Sequence, residues 1–308
     1  NTHKTHSKKN GGSSTVTDYS NQDLSNKDFS SKDLRGTNFS QATLSGANFS
    51  GANLTGANLK FATMYRSLLK GANLTDANLS RADLAGTDLT DANLSGANLS
   101  GAQLDNVNLV GATLAGVDLE DSNLQASNLK GVDLSDLDLE SLNMQHVNLQ
   151  DAELNKVNLT GANLTGANLK FASVKHSLLT GANLTGANLE GAILTGADLE
   201  GAVLNGANLT NADLEGATLT GATLEDDQVL HTMFDSPPST LREQLLQRKS
   251  VKLTEYAENP FKTGILSSYN VILLEDVNYC EYIKNKNNLL IFFGKQVAII
   301  DRETLKQF

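Results

Sequence analysis

Residues 51–60 read GANLTGANLK and show the pattern that decides the fold. A small residue, Asn or Asp, Leu, a variable residue and Gly recur every five positions. Stepping by five from Leu24 to Leu224 visits 41 positions, of which 35 are Leu, and no insertion or deletion interrupts the period. The remaining six are Phe29, Phe39, Phe49, Met64, Met144 and Val174. Self-similarity at a fixed period indicates a repeat architecture.

A period of five fits neither the 3.6 residues of a helical turn nor the simple alternation of a strand. Residues two apart in an extended segment point to the same side, so the small residue and the Leu of each unit are both predicted to face inward. Of the 25 glycines, 21 lie two residues after a Leu-type position, where Gly tolerates a tight turn. The chain is therefore predicted to coil, with coils stacked at roughly 4.8 Å and Leu filling a narrow shaft.

The segments GANLTGANLKFA and RADLAGTDLTDANLSGANLS resemble the pentapeptide-repeat proteins. The resemblance covers residues 16–225 and implies a right-handed, four-sided β-helix with four units per coil. Twenty residues per coil correspond to about ten coils. The predicted fold class is therefore an all-β solenoid, a right-handed quadrilateral β-helix, followed by a small C-terminal α/β appendage.

Three regions are expected along the chain: a disordered polar N-terminus over 1–15, the β-helix over 16–225, and a capping segment with a small α/β region over 226–308. Solenoid ends need caps because their strand edges are unpaired. The inward small-residue slot of the first coil holds polar residues, which predicts a polar cap. They are Gln22, Lys27 and Lys32. An apolar cluster is predicted to form a lid over the last coil. It comprises Val229, Leu230, Met233 and Phe234.

The appendage is predicted to mix helix and strand. Thr240 begins a capping-box pattern that indicates a helix. Strands are predicted over 271–274, 289–293 and 296–300, with a hairpin turn between the last two. Asp301 is expected to cap a final helix.

The middle of the solenoid departs from the consensus, because the small-residue slot there holds larger apolar side chains. A packed shaft does not absorb extra methylene groups unchanged, so the coils are predicted to widen or bend at this place. The residues concerned are Val107, Val117, Val132, Leu137, Leu142, Val147 and Val157.

Charge and composition exclude several function classes. Subtracting 35 acidic from 24 basic residues gives a net charge of −11, which argues against direct nucleic-acid binding. The single cysteine, Cys280, excludes an internal disulfide framework and a cysteine metal cluster. No apolar stretch is long enough for a membrane span, and the polar first residues predict no signal peptide. A bacterial protein that is cytoplasmic, or delivered into a host cell as an effector, is expected.

Two near-copies, residues 51–75 and 161–185, lie 110 residues apart and would face opposite sides of a four-sided helix. Each copy places Phe in the turn slot and Leu in the outward Asn slot, and exposed aromatic and Arg residues are typical of protein interfaces. Recent duplication is an alternative explanation of the two near-copies. The structural alternative to binding is that Phe and Leu fold over a local bulge and shield the wall. The predicted binding residues are Phe61, Tyr65, Arg66, Leu68, Phe171, Lys175, His176 and Leu178.

A second candidate site is acidic. Carboxylates spaced by twenty residues are predicted to stack on one face, where opposed like charges are unfavourable. Some pentapeptide-repeat proteins imitate DNA and occupy topoisomerases, so the resemblance offers one reason for such a face. A solvated surface that favours solubility is the alternative. The predicted acidic face comprises Asp118, Glu120, Asp138, Glu140, Asp198 and Glu200.

No catalytic, cofactor or metal motif is apparent. Cys280 would need a nearby base to act as a nucleophile and is expected to be an inert thiol. The leading hypothesis is a non-enzymatic scaffold that presents rigid faces to a protein partner. The alternatives are a DNA-mimicking regulator of a type II topoisomerase, and the targeting module of a secreted effector whose catalytic part lies in or beyond the tail.

Overall fold

A computed structural model of the chain describes residues 17–223 and the backbone of three strands within 280–301. In the first region, single-residue parallel bridges join a residue to the one twenty positions later, from Asp18↔Asn38 to Val203↔Thr223. Four five-residue units therefore make one coil. The predicted four-sided β-helix of about ten coils is confirmed.

The residue before each shaft residue forms the bridge and points outward; we call it the ladder position. Ladder positions twenty residues apart define a face. Face 1 begins at Asp18, face 2 at Asp23, face 3 at Asp28 and face 4 at Asp33. Corner 1/2 is the pair of turn residues between faces 1 and 2 in each coil, and the other three corners are named likewise.

Each unit turns through a hydrogen bond from the next small residue to the shaft residue, as in Ala52 N–H to Phe49 O at 2.9 Å. The residue before that small residue has a positive φ, for example +64° at Gly51. A positive φ at this position is typical of type II turns and favours Gly. Within the described coils, twenty non-glycine residues adopt it as well, so the coil geometry imposes a backbone state that their side chains disfavour.

The predicted inward residues fill the shaft. Leu residues at the repeat centres and Ala residues two positions earlier are buried along the helix. At the N-terminal end the shaft is aromatic: Tyr19 stacks on Phe39 with centroids 5.2 Å apart, and Phe29 stacks on Phe49 at 4.9 Å.

The first coil differs from the coils above it. Gln22, Lys27 and Lys32 occupy the slot that Ala fills elsewhere, and all three are exposed. This matches the polar end predicted from the sequence. The proposed lid over the last coil lies outside the described residues.

The bridge pattern is interrupted where larger apolar residues fill the small slot. Bridges are present at Asn108↔Asn128 and Asn123↔Asn143, but among the described coils none joins residue 113 to 133 or 118 to 138. The interruption affects faces 4 and 1 of two neighbouring coils. Three shaft residues beside it are slightly exposed, at 7–8%, namely Ala112, Val117 and Leu137. Branched and longer side chains in the small slot account for this local opening.

In the appendage, strands β1 (Cys280–Lys284), β2 (Asn288–Phe293) and β3 (Gln296–Asp301) form an antiparallel sheet in the order β1-β2-β3. The two predicted hairpin strands are confirmed, and β1 was not predicted. Asp301 ends β3. The predicted helices and the strand over 271–274 lie outside the described residues. Within the described part of the chain, no helix has the length and apolarity needed to cross a membrane.

Candidate functional site

The two consensus breaks lie on opposite sides of the β-helix. Leu68 bridges Asn48 and Asp88 on face 3, whereas Leu178 bridges residues of face 1. A separation of 110 residues at twenty per coil is five and a half coils, or ~26 Å along the axis. The register continues on both sides of each leucine, so neither side chain covers a bulge in the wall.

Large exposed apolar side chains are confined to these two places within the described coils. They were all among the predicted binding residues: Phe61 (43% exposed), Tyr65 (42%), Leu68 (46%), Phe171 (52%) and Leu178 (48%). We call the group containing Phe61 to Leu68 the first patch, and the group containing Phe171 to Leu178 the second patch.

Cations frame the rings of the first patch. On corner 1/2, Lys60 Nζ lies 5.2 Å and Arg81 Cζ lies 5.9 Å from the centroid of Phe61. On corner 2/3, Arg66 Cζ lies 4.9 Å from the centroid of Tyr65. Cation–π contacts of this length are favourable by about 0.5–1 kcal/mol at exposed sites. They hold the rings and charges together on an outer wall.

The second patch repeats this arrangement. Lys170 Nζ lies 4.9 Å from the Phe171 centroid and 2.9 Å from the carboxylate of Glu190. The Phe171 ring lies against Gly191 of the next coil, where an added Cβ would be 2.5 Å from the ring. His176 lies in the same way against Gly196. Lys175, His176 and Leu178 are exposed beside the ring.

Phe61 and Phe171 have φ angles of +58° and +59°. The left-handed region is unfavourable for a bulky side chain by about 1 kcal/mol or more. Gly is the consensus residue at this position, so the two phenylalanines are less favourable for the turn than the residue they replace. This cost, and their exposure, argue against a purely structural reason for both rings.

Asn side chains at successive ladder positions of one face hydrogen-bond to each other, from one coil to the next. On face 3, Asn128 Nδ2 donates to Asn108 Oδ1 at 3.2 Å, and Asn148 Nδ2 donates to Asn128 Oδ1 at 2.9 Å. The same oxygens also accept a backbone N–H two residues later, as in Val110 N–H to Asn108. The amide thus donates toward the N-terminal end of the β-helix.

This polarity explains where Asp replaces Asn. Every Asn at a ladder position of the described coils lies above Asn, Asp or Gln, each of which offers an acceptor oxygen. Leu68 and Leu178 offer none, and the residues above them are Asp88 and Asp198. A carboxylate only accepts, so it needs no partner below. Asp88 and Asp198 are thus suited to lie above leucines. Both lie outside the near-copied segments 51–75 and 161–185, so the duplicated sequence does not include them.

The first coil follows the same rule. It is the first coil that the structure describes, with no described coil below it, and Asp fills its ladder position on all four faces. Ser20 N–H donates to Asp18 and lowers the pKa of that carboxyl group; the Ser25 hydroxyl does the same for Asp23. The pKa values of Asp28 and Asp33 are also lowered, first by the Ser30 backbone N–H and by the Arg35 side chain, respectively. These carboxylates are therefore hydrogen-bonded in the ionised form.

Four of the six residues of the predicted acidic face lie in two neighbouring coils. Asp118 and Asp138 lie on face 1, and Glu120 and Glu140 lie beside them on corner 1/2. Asp138 and Glu140 accept hydrogen bonds from Asn158 Nδ2 at 2.9 and 3.3 Å. The bridge between residues 118 and 138 is among those missing, so the like charges lie over the local opening of the wall. The last predicted pair continues this face three coils later, as Asp198 and Glu200.

The ion pairs of 4 Å or less in the described coils do not involve the acidic face. The three pairs are Arg35–Asp33, Lys130–Asp151 and Lys170–Glu190. Among the residues that the structure describes, no group of three or more His, Cys, Asp or Glu is placed to hold a metal ion. The signal that sequence reasoning missed is the ladder rule, which is visible in the sequence once residues are compared at a spacing of twenty.

Comparison with known proteins supports the repeat assignment. The family model for pentapeptide repeats matches eight copies in the chain. The matched residues are 33–71, 72–109, 108–141, 143–181 and 182–224. No protein with a curated description matches the chain.

Several solved structures are similar. HetL from the cyanobacterium Nostoc sp. strain PCC 7120, involved in heterocyst differentiation regulation, is 31% identical over 68% of this chain and 89% of its own, with a TM-score of 0.30. Rfr23 from Cyanothece 51142 is 32% identical over 36% of this chain and 90% of its own, with a TM-score of 0.30. Full-length QnrB1, a plasmid-mediated fluoroquinolone resistance protein, is 20% identical over 73% of this chain and 97% of its own, with a TM-score of 0.35.

The family match spans more than half of the chain, and the i to i+20 register agrees with the fold of that family. The chain therefore belongs to the pentapeptide-repeat proteins, which fold as right-handed quadrilateral β-helices.

Proposed function

We propose that the protein is a non-enzymatic scaffold that binds protein partners through the first and second patches. The observation that carries this proposal is the confinement of large exposed apolar side chains, within the described coils, to two places on opposite walls. Both places combine an exposed aromatic ring, an outward Leu and nearby cations, and aromatic residues and Arg are enriched at protein interfaces.

The charge around the patches indicates the kind of partner. Residues 16–225 carry 24 acidic and 11 basic side chains, yet a basic side chain lies over each exposed ring, and at Phe171 this cation is paired with Glu190. A partner surface with apolar pockets and a carboxylate rim would be complementary to such a patch and would be repelled by most of the remaining wall. Specificity for the patches then follows from both attraction and repulsion.

Leu68→Asn and Leu178→Asn together test the proposal. Each change restores the consensus residue above an existing acceptor, Asn48 or Asn158, so we expect the melting temperature to be unchanged or higher. Capture of bacterial proteins by the immobilised full chain should fall at least tenfold for the species that wild type retains.

The matched control is Thr43→Asn, which fills a ladder position above Asp23 outside both patches. It should retain wild-type capture. Equal capture by the double leucine variant would contradict the proposal, and a large loss of melting temperature would show that the leucines are structural.

A second candidate function is regulation of a type II topoisomerase through the acidic face. The observation that favours it is the stack of carboxylates on face 1 and corner 1/2, which form no ion pair of 4 Å or less within the described coils. Supercoiling by purified gyrase, measured across concentrations of the full chain, tests this candidate. If the chain neither inhibits nor protects the enzyme at any concentration, this candidate function is ruled out.

A further inference from the structure

We infer that corner 1/2 pairs with the same corner of a second copy, antiparallel, to form a two-fold symmetric dimer. The evidence is the order of charges along this corner. Lys60 and Arg81 lie in its lower coils, whereas Glu120, Asp121 and Glu140 lie in its upper coils. All five side chains are exposed. When two such corners lie side by side in antiparallel orientation, the basic end of each faces the acidic end of the other, and the two copies attract.

The register of the charges makes the corner self-complementary. Because one coil is twenty residues, corner positions recur at the strand spacing of ~4.8 Å, except between residues 120 and 140, where the neighbouring bridge 118 to 138 is missing. A two-fold axis beside Gly101 places Lys60 opposite Glu140 of the second copy. The same axis places Arg81 opposite Glu120 and Asp121. Each pairing occurs twice, as an isologous interface requires.

The remaining corner positions are compatible with this arrangement. At the axis itself, Ser100 and Gly101 are small, so the two walls can approach closely. Toward the ends, the axis pairs neutral residues: Ser40 and Gln41 oppose Thr160 and Gly161 of the second copy, and Ser20 and Asn21 oppose Thr180 and Gly181. No like charges meet among the paired corner positions, and Glu200 lies opposite no described residue of the second copy.

The charges are available for such pairing. None of the five forms an ion pair of 4 Å or less within the described coils. Lys60 and Arg81 instead lie over the ring of Phe61, which is 43% exposed and would be covered in the dimer. Exposed ion pairs are individually weak, so the dimer is expected to be in concentration-dependent exchange and to dissociate at high salt.

Charge reversal in two separate full-length chains tests the inference. One variant carries Lys60→Glu and Arg81→Glu; the other carries Glu120→Lys, Asp121→Lys and Glu140→Lys. Sedimentation velocity at low salt should show a wild-type monomer–dimer equilibrium and, for each variant alone, a dissociation constant raised at least tenfold. An equimolar mixture should regain the dimer, because the reversed ends are complementary to each other in both halves of the interface.

The matched control is Arg66→Glu with Lys70→Glu, which changes the net charge as much as the first variant does but lies on other corners. It should dimerise like wild type. The inference is overturned by a monomeric wild type at low salt, by a variant that still dimerises alone, by a monomeric mixture, or by loss of the dimer in the control. Circular dichroism melts verify that every variant is folded.

The dimer corner shares Phe61, Lys60 and Arg81 with the first patch. It shares Glu120 and Glu140 with the acidic face. The tests are nevertheless separable, because the capture test changes only Leu68 and Leu178. Partner capture through Leu68 and Leu178 does not require the dimer, and the dimer test requires no partner. Failure of either experiment therefore leaves the result of the other interpretable.

Discussion

At the scale of single residues, one functional group determines the sequence of the outer walls. Asn and Asp have nearly the same shape, but Asn donates a hydrogen bond and Asp does not. Because the Asn amide donates toward the N-terminal end, Asn is used above an acceptor and Asp above a residue without one, as at Asp88 over Leu68. Asp118 and Asp138 are exceptions, since Asp118 lies above Asn98 and Asp138 lies above Asp118, so that two carboxylates follow each other on one face.

Asp138→Asn should therefore stabilise the protein. Removing one carboxylate ends the like-charge opposition across the open part of the wall, and the new amide supplies a donor that Asp138 lacks. We expect a gain of about 1 kcal/mol in the free energy of unfolding, measured by urea denaturation. Asp133→Asn is the control, because Thr113 below it offers no amide or carboxylate oxygen, and it should gain less. A loss of stability in Asp138→Asn would contradict the ladder rule.

At the scale of the coil, much was predictable from the period of five. Inward Leu and Ala, the turn slot and the exposed positions all follow from residues two apart sharing a side. The number of sides did not follow, because a spacing of five is compatible with more than one polygon, and the family resemblance supplied it. For the region of the missing bridges at residues 113 and 118, the sequence predicted only that the coils would widen or bend. The position of the missing bridges on faces 4 and 1 depends on how neighbouring side chains pack across the shaft.

The sequence also predicted part of the candidate site, namely its apolar residues but not the cation that reaches them from the next coil. Substitutions at Phe61 and Leu68 were visible as breaks in a regular pattern, and the register then placed them on an outer wall. The cations that frame the rings were harder to foresee, since Arg81 reaches Phe61 from the next coil. Contacts between coils require the twenty-residue register, which the sequence period alone does not establish.

The first coil should make the stability of the protein sensitive to acid. The pKa values of Asp18, Asp23, Asp28 and Asp33 are lower in the folded chain than in the unfolded one, because hydrogen bonds favour their ionised forms. Their contribution is fully present above the ordinary carboxyl pKa and is lost as the pH falls through the lowered folded values.

Hydrogen exchange of the first coil, compared between neutral pH and pH values below the ordinary carboxyl range, measures this effect. The rates must be corrected for the intrinsic dependence of exchange on pH. We expect protection to fall in residues 17–40 before it falls in the upper coils. A variant with Asn at all four positions should lack this acid-specific loss. Uniform loss of protection along the β-helix would contradict the prediction.

At the scale of the whole molecule, the β-helix is quasi-one-dimensional, and each coil is stabilised by its two neighbours. The weakest junction in the described region should be the one with missing bridges on two faces, between the coils near residues 113 and 133. Each patch lies on a different side of this junction. The two patches therefore belong to parts of the β-helix that need not unfold together.

Leu184→Asp tests this separation. Leu184 is fully buried in the shaft, so an unpaired carboxylate there should destabilise its coils by several kcal/mol. We expect hydrogen exchange to increase in residues 138–223 while residues 38–110 keep wild-type protection, because the open junction transmits little of the damage. The mirror variant, Leu54→Asp, should expose the lower coils and spare the upper ones. Asn183→Asp, on the outer wall beside Leu184, is the control and should change exchange only slightly. If either shaft variant unfolds the whole rod, the junction is not a boundary and the two patches are coupled through a single cooperative unit.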